Sequence, residues 1–293
     1  MSKDKYAACA MLLIGILFVA NVPAVHAAES YDNCTGFIDS LPATISKQGT
    51  WCLRKDVSTS ISSGDAILLA ANNVTLDCND FKIGGLAAGM NTATVGIGTG
   101  DRVRNNLVVR NCNIRGFRRG LVIVGSGHLV EDNRLEGNTY TGIYVVGDGS
   151  IIQRNQVRDT GGTNWEQGYA YAITAVETVH VLDNTVEGVL PALESGNAWA
   201  YGIFTFDNAG GSIRGNRVSG LIGNGEGGAF GIENKASGLI SVVDNHVVSG
   251  GGKVGISCAG WNNEPAVRNV VLGFVTPIVG CYDGGNTTPP LPQ

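Results

Sequence analysis

The chain has 293 residues, 43 of them glycine, with 15% charged residues and a formal net charge of −5 at pH 7. That balance excludes a nucleic-acid partner, since phosphate binding needs basic stripes. Few charges and abundant glycine mark a turn-rich β protein, not a disordered chain.

At the start, Lys3 and Lys5 precede an apolar run over 7–20, and Val25-His26-Ala27 brings a small-x-small end. These features predict a secretory signal peptide over 1–27, cleaved after Ala27. The run is too short to span a bilayer, which takes about 20 apolar residues. Cys9 does not follow the run, so no lipid-bearing cysteine and no membrane anchor are expected. The protein is therefore expected to be secreted or periplasmic. Six further cysteines, an even number in an exported chain, suggest disulfides.

Residues 28–72, with Cys34 and Cys52, read as an N-terminal cap. From 73 to 283 the chain repeats itself. The stretches LVVRNCNIRG (107–116), LVEDNRLEG (129–137), IIQRNQVRD (151–159), HVLDNTVEG (180–188), SIRGNRVSG (212–220) and SVVDNHVVS (241–249) share one pattern. An apolar residue stands before a turn position and another after it, as in Val130/Leu135, Ile152/Val157 and Val181/Val186. The turn position holds Cys112, Asn133, Asn155, Asn184, Asn216 and Asn245, with Cys78 and Asn269 extending the series at its two ends. Asn tolerates a left-handed backbone, and its side chain can bond its counterpart in the next unit. A second series interleaves with the first: GLVIV (120–124), GIYVV (142–146), AITAV (172–176), GIFTF (202–206), GIENK (231–235) and GISCA (255–259).

No unit buries its apolar face alone, whereas stacked units bury a continuous one. The expected fold is all-β: a single right-handed parallel β-helix of about eight coils, with strands about 4.8 Å apart between coils. Cys78 and Cys112 fall at one turn position of consecutive coils, so they are expected to pair. Cys258 and Cys281 lie on first strands of the last two coils, and Cys34–Cys52 would close the cap. Residues 284–293, with three prolines, read as a disordered tail.

This pattern resembles the right-handed parallel β-helix superfamily typified by pectate lyases, over roughly 73–283. The resemblance implies an extracellular protein that engages polysaccharide in a groove along the first strand and its flanking loops. Enzymes of that superfamily carry signatures such as NTD, paired DD, GHG, RIK or DPH, and none of these occurs in this chain.

Three loops before the Gly-Ile strand are lengthened: 161–171, 191–201 and 222–230. Side by side they would form one wall, each bringing a glutamate (Glu166, Glu194, Glu226) and an aromatic (Tyr171, Tyr201, Phe230). Trp165, Tyr169 and Trp199 add rings. Alternation along the strand turns Tyr144, Val146, Thr174, Val176, Phe204 and Phe206 outward, followed by Glu233 and Lys235. Asp207 and Glu177 stand at strand ends. Aromatics beside carboxylates suit sugar rings, so Tyr144, Trp165, Glu166, Tyr171, Glu194 and Trp199, together with Tyr201, Phe204 and Glu226, are the candidate binding residues. Glu233, Lys235 and Asp207 are the catalytic candidates. A carboxylate pair would hydrolyse a glycosidic bond, and a lysine base would serve a lyase; the choice stays open, as does a non-catalytic structural or adhesive rod. Arg118-Arg119 could bind an anionic sugar but reads first as a solvated pair, and His128, His180 and His246 read as surface or turn histidines away from the groove. No cofactor and no metal site are expected, and the protein is expected to be a monomer.

Overall fold

The computed structural model describes residues 31–165, 168–207, 210–235, 240–258 and 264–289. The signal peptide predicted over 1–27, and Glu166, lie outside the described residues. Each coil makes three strands, illustrated by Thr141–Val146, Ser150–Gln153 and Gln156–Thr160. Every named pairing between coils is parallel; the middle strands form an 11-stranded sheet, and the first and third strands make up an 18-stranded one. Two short 3-10 turns, Leu86–Ala88 and Leu193–Ser195, are the only helical elements among the described residues.

The repeat register is the one observed. Val130 faces Ile152, and Ile152 faces Val181; Leu135 faces Val157, and Val157 faces Val186. All of these are at most 1% exposed, so the two apolar columns form the continuous core expected of stacked units. The solenoid makes about nine turns. The additional turn comes from the segment read as a cap: Gly49–Cys52 pairs in parallel with Val74–Asp77, and Ser63–Leu68 with Ala93–Gly98. At the other end, Asn286 accepts from the Asn269 backbone N–H (2.8 Å) and Thr287 bridges Val270, so ordered stacking continues beyond Gly284, where the sequence pattern ends.

The three expected disulfides are present: Cys34–Cys52, Cys78–Cys112 and Cys258–Cys281, with Cα separations of 5.9, 4.7 and 5.0 Å.

The asparagine ladder is internal and unbroken. Backbone N–H groups of Cys112, Asn133, Asn155, Asn184, Asn216 and Asn245 each donate to the Oδ1 of the next coil's asparagine, at 2.9–3.1 Å. The left-handed residue is not the ladder asparagine, as expected, but the one before it: Asn111, Asp132, Arg154, Asp183, Asp244 and Arg268 have φ of 53–57°. That residue, exposed in every case but Asn111, makes the corner, which frees the asparagine side chain to turn inward. Asn155 Nδ2 donates to Val130 O (2.9 Å), Gln153 O (3.0 Å) and Asn184 Oδ1 (3.0 Å). Asn155→Ala removes all three donations and leaves the Asn133 N–H, which donates to Asn155 Oδ1, without its partner. It is expected to lower stability by roughly 1–3 kcal/mol, read by denaturant unfolding; an unchanged midpoint would show a solvated ladder.

Candidate functional site

On the first face, residues at one height repeat at the coil spacing. Thr141, Tyr171, Tyr201 and Phe230 form one outward column, and Tyr144, Thr174, Phe204 and Glu233 the next. Equivalent side chains about 4.8 Å apart bring planar rings to stacking distance. Tyr171 and Tyr201 are parallel within 5° with centroids 4.9 Å apart, and Tyr201 and Phe230 stack at 5.1 Å. Tyr169 and Trp199 form a second stack at 4.7 Å.

In both stacks the rings cover one another's faces, so they present edges outward. Phe204 differs, since its ring is inclined 63° and 61° to those of Tyr171 and Tyr201. It lines a shallow cavity of about 210 Å³ with Tyr144, Tyr171, Phe206, Tyr140 and Arg119. Arg119 lies 5.4 Å over the Tyr140 ring, and the Lys235 ammonium 5.7 Å from the Phe204 ring, both within cation–π range. Among the described residues, no carboxylate lines this cavity. Burial raises the Tyr144 hydroxyl pKa, with Arg119 opposing.

The candidate residues thus divide. Tyr144, Tyr171 and Phe204 meet in the cavity, with Tyr201 and Trp199 in the adjoining stacks. Trp165 is held elsewhere by its indole N–H, which donates to Asn91 O (2.9 Å). Glu194 lines a separate hollow with Met90, Gly162 and Leu193, and the exposed Glu226 is anchored by its backbone N–H to Asn197 Oδ1 (2.8 Å). Among the catalytic candidates, Glu233 is 6% exposed and 3.7 Å from the Lys235 ammonium. Its Oε2 is buried without a hydrogen-bond partner among the described residues. Burial raises its pKa, against the opposing pull of Lys235 and Ser257. Asp207 is exposed at the end of its strand, with φ 50°. Thr174 and Val176, expected to be outward, are only 4% and 6% exposed beneath their neighbours.

Arg119 lines the cavity, although the sequence favoured a solvated pair over an anion-binding one at Arg118-Arg119. Tyr140 escaped the sequence reading, because it stands one position before the column that holds Tyr171, whose partner is Thr141. No stacking of repeats reveals an off-register ring. His128, read as a surface or turn histidine, stands in the turn just before Leu129–Glu131 and is buried, at 1% exposure.

A family model described as the right handed beta helix region matches residues 47–194 and 104–272. The chain belongs to the right-handed β-helix family. A solved structure, the Dettilon tailspike protein, is similar to this family member at 17% identity and a TM-score of 0.45. The match covers 86% of this chain and 60% of that one, so this chain spans about three fifths of the tailspike's length. No curated protein matches the chain. Among the described residues, no helix is long and apolar enough to cross a membrane, and no cluster of His, Cys, Asp or Glu is arranged to hold a metal ion.

Proposed function

We propose that this β-helix protein is extracellular and binds an acidic polysaccharide along its central coils, without cleaving it. The observation that carries the reading is the cavity beside Phe204: aromatic rings line it, Arg119 is the one charged lining residue among the described residues, and Lys235 caps the Phe204 ring. Phe204, inclined to the edge-on stacks, supplies the platform on which the C–H face of a sugar ring lies. A carboxylate or sulfate on that sugar would meet Arg119, a fork of donors suited to either group. About 210 Å³ accommodates one ring unit, and the tyrosine stacks extend the surface toward further units. Binding without cleavage follows from the acids. Hydrolysis needs two carboxylates flanking the bond, whereas Glu233, the register partner of Phe204, is buried and has the Lys235 ammonium 3.7 Å away. Three disulfides suit an oxidising, extracellular setting.

Affinity electrophoresis through gels of acidic and neutral polysaccharides tests this. Wild-type protein should be retarded by an acidic glycan, with retardation falling as salt rises. Phe204→Ala and Arg119→Ala should each weaken it about tenfold, the equivalent of 1.4 kcal/mol, while Glu194→Gln leaves it unchanged. Retention on neutral glucans alone would remove the acidic assignment. If no glycan retards the wild type, the structural-rod reading takes its place.

A further inference from the structure

Beside the Phe204 cavity stands a buried acid. Glu233 follows Phe204 in its column, and Ser257 follows Glu233. The Ser257 hydroxyl donates to the carboxylate. Oε1 lies 3.7 Å from the Lys235 ammonium, and Oε2 is buried without a hydrogen-bond partner among the described residues. Lys235 has half of its side chain exposed and stands near two groups, Glu233 and the Phe204 ring at 5.7 Å. Its column partner Phe206 lines the cavity. An ionised carboxylate with an unpaired oxygen in a dry setting is costly, and an adjacent cation offsets part of that cost. Ionised Glu233 therefore holds the Lys235 charge to itself. Protonated Glu233 releases it, and the half-exposed ammonium can then meet an anion at the cavity.

We infer that Glu233 is a positioning residue of the glycan site: acting through Lys235, it weakens the hold on an acidic sugar when ionised and strengthens it when protonated. This rests on the glycan-binding reading and adds a regulation by pH. Burial raises the Glu233 pKa, with Lys235 and Ser257 opposing, so protonation sets in above the usual glutamate range. Because the protonated form binds better, affinity rises as pH falls through that raised value and is lowest near neutrality. Other ionisable groups surround Glu233. On the preceding coil, the Tyr201 hydroxyl has its pKa raised by burial and by Glu233, and Asp207, just past Phe206, is exposed. On the following coil, Lys253 is turned to the Glu226 carbonyl and the Phe230 ring. On the inward side, Asn234 donates to Glu264 at 2.5 Å; that carboxyl is 2% exposed and its pKa is also raised by burial.

Titration calorimetry of the full chain at pH 5 and pH 7.5 tests the inference. The probes are dextran sulfate, whose sulfates stay ionised throughout, and polygalacturonate. Wild type should bind one of them about fivefold more tightly at pH 5. Glu233→Gln should bind at pH 7.5 as wild type does at pH 5 and lose most of the gain, whereas Asp207→Asn, which removes the same charge from the chain, should keep it. Should Glu233→Gln fail to fold, wild type measured in two buffers of different ionisation enthalpy reads the same group as proton uptake on binding at pH 5. Absent uptake, equal affinity at both pH values, or a Glu233→Gln variant with the wild-type slope overturns the inference and leaves the glycan reading standing. Binding to neither polymer at pH 5 removes both.

Discussion

Gly147→Ala should be among the most damaging single-methyl additions to this protein, costing about 4 kcal/mol or more, whereas Gly149→Ala, two residues away in the same turn, should cost only about 1–2 kcal/mol. Both glycines have positive φ, 143° and 68°, so both substitutions strain the backbone. They differ in what the methyl meets. A Cβ on Gly147 would stand 1.2 Å from the carbonyl oxygen of Gly125 in the preceding coil, whereas one on Gly149 has nothing within 4 Å. Gly125 is itself pressed against Arg104, at 1.5 Å from a built Cβ to the Arg104 oxygen. The displacement therefore passes from coil to coil instead of relaxing locally. Chemical unfolding of the two variants side by side measures the difference. Equal midpoints would mean that the coils are not in backbone contact at this corner.

The same stacking explains which features were legible in the sequence. The interior columns recur because each coil buries the same two positions, so Ile152 and Val157 predict their neighbours Val181 and Val186, and the cysteines fall into place with them. A repeat reports which residues share a height and is silent on backbone conformation. Hence the left-handed corner was assigned to Asn155, although Arg154 makes it, with φ 54°. Alternation names the side to which a residue points but not what covers it: Glu233 points outward and is nevertheless 6% exposed, beside Phe204 in the column and Lys235 two residues on. The lengthened loops were hardest to read. Their glycines carry no periodicity, so the sequence pattern does not distinguish Glu194, in its separate hollow, from a residue of the aromatic cavity. Tyr140 belongs to that cavity by standing outside the repeat.

Acid should weaken this protein through His128. The imidazole is 1% exposed; its Nδ1 accepts the Leu107 backbone N–H at 3.3 Å, and its Nε2 is buried without a partner among the described residues. Nδ1 is therefore the unprotonated nitrogen, and the proton of the neutral ring sits on Nε2. Charging the ring would bury a cation and place a proton on Nδ1, facing the donor it now accepts from. Burial accordingly lowers the His128 pKa from 6.5 to about 4. Between these values the unfolded chain binds the proton and the folded chain does not. The stabilisation from keeping the ring neutral is thus complete above about pH 6.5 and is lost as pH falls toward 4, amounting to about 3 kcal/mol. Other groups also titrate in this window, so the comparison is with His128→Gln, whose amide oxygen can accept the Leu107 N–H without taking up a proton. Unfolding free energies at pH 7 and pH 4 should drop more steeply for wild type than for the variant, by about 3 kcal/mol. Parallel pH profiles would show that the ring reaches solvent and that the solenoid wall is open at this turn.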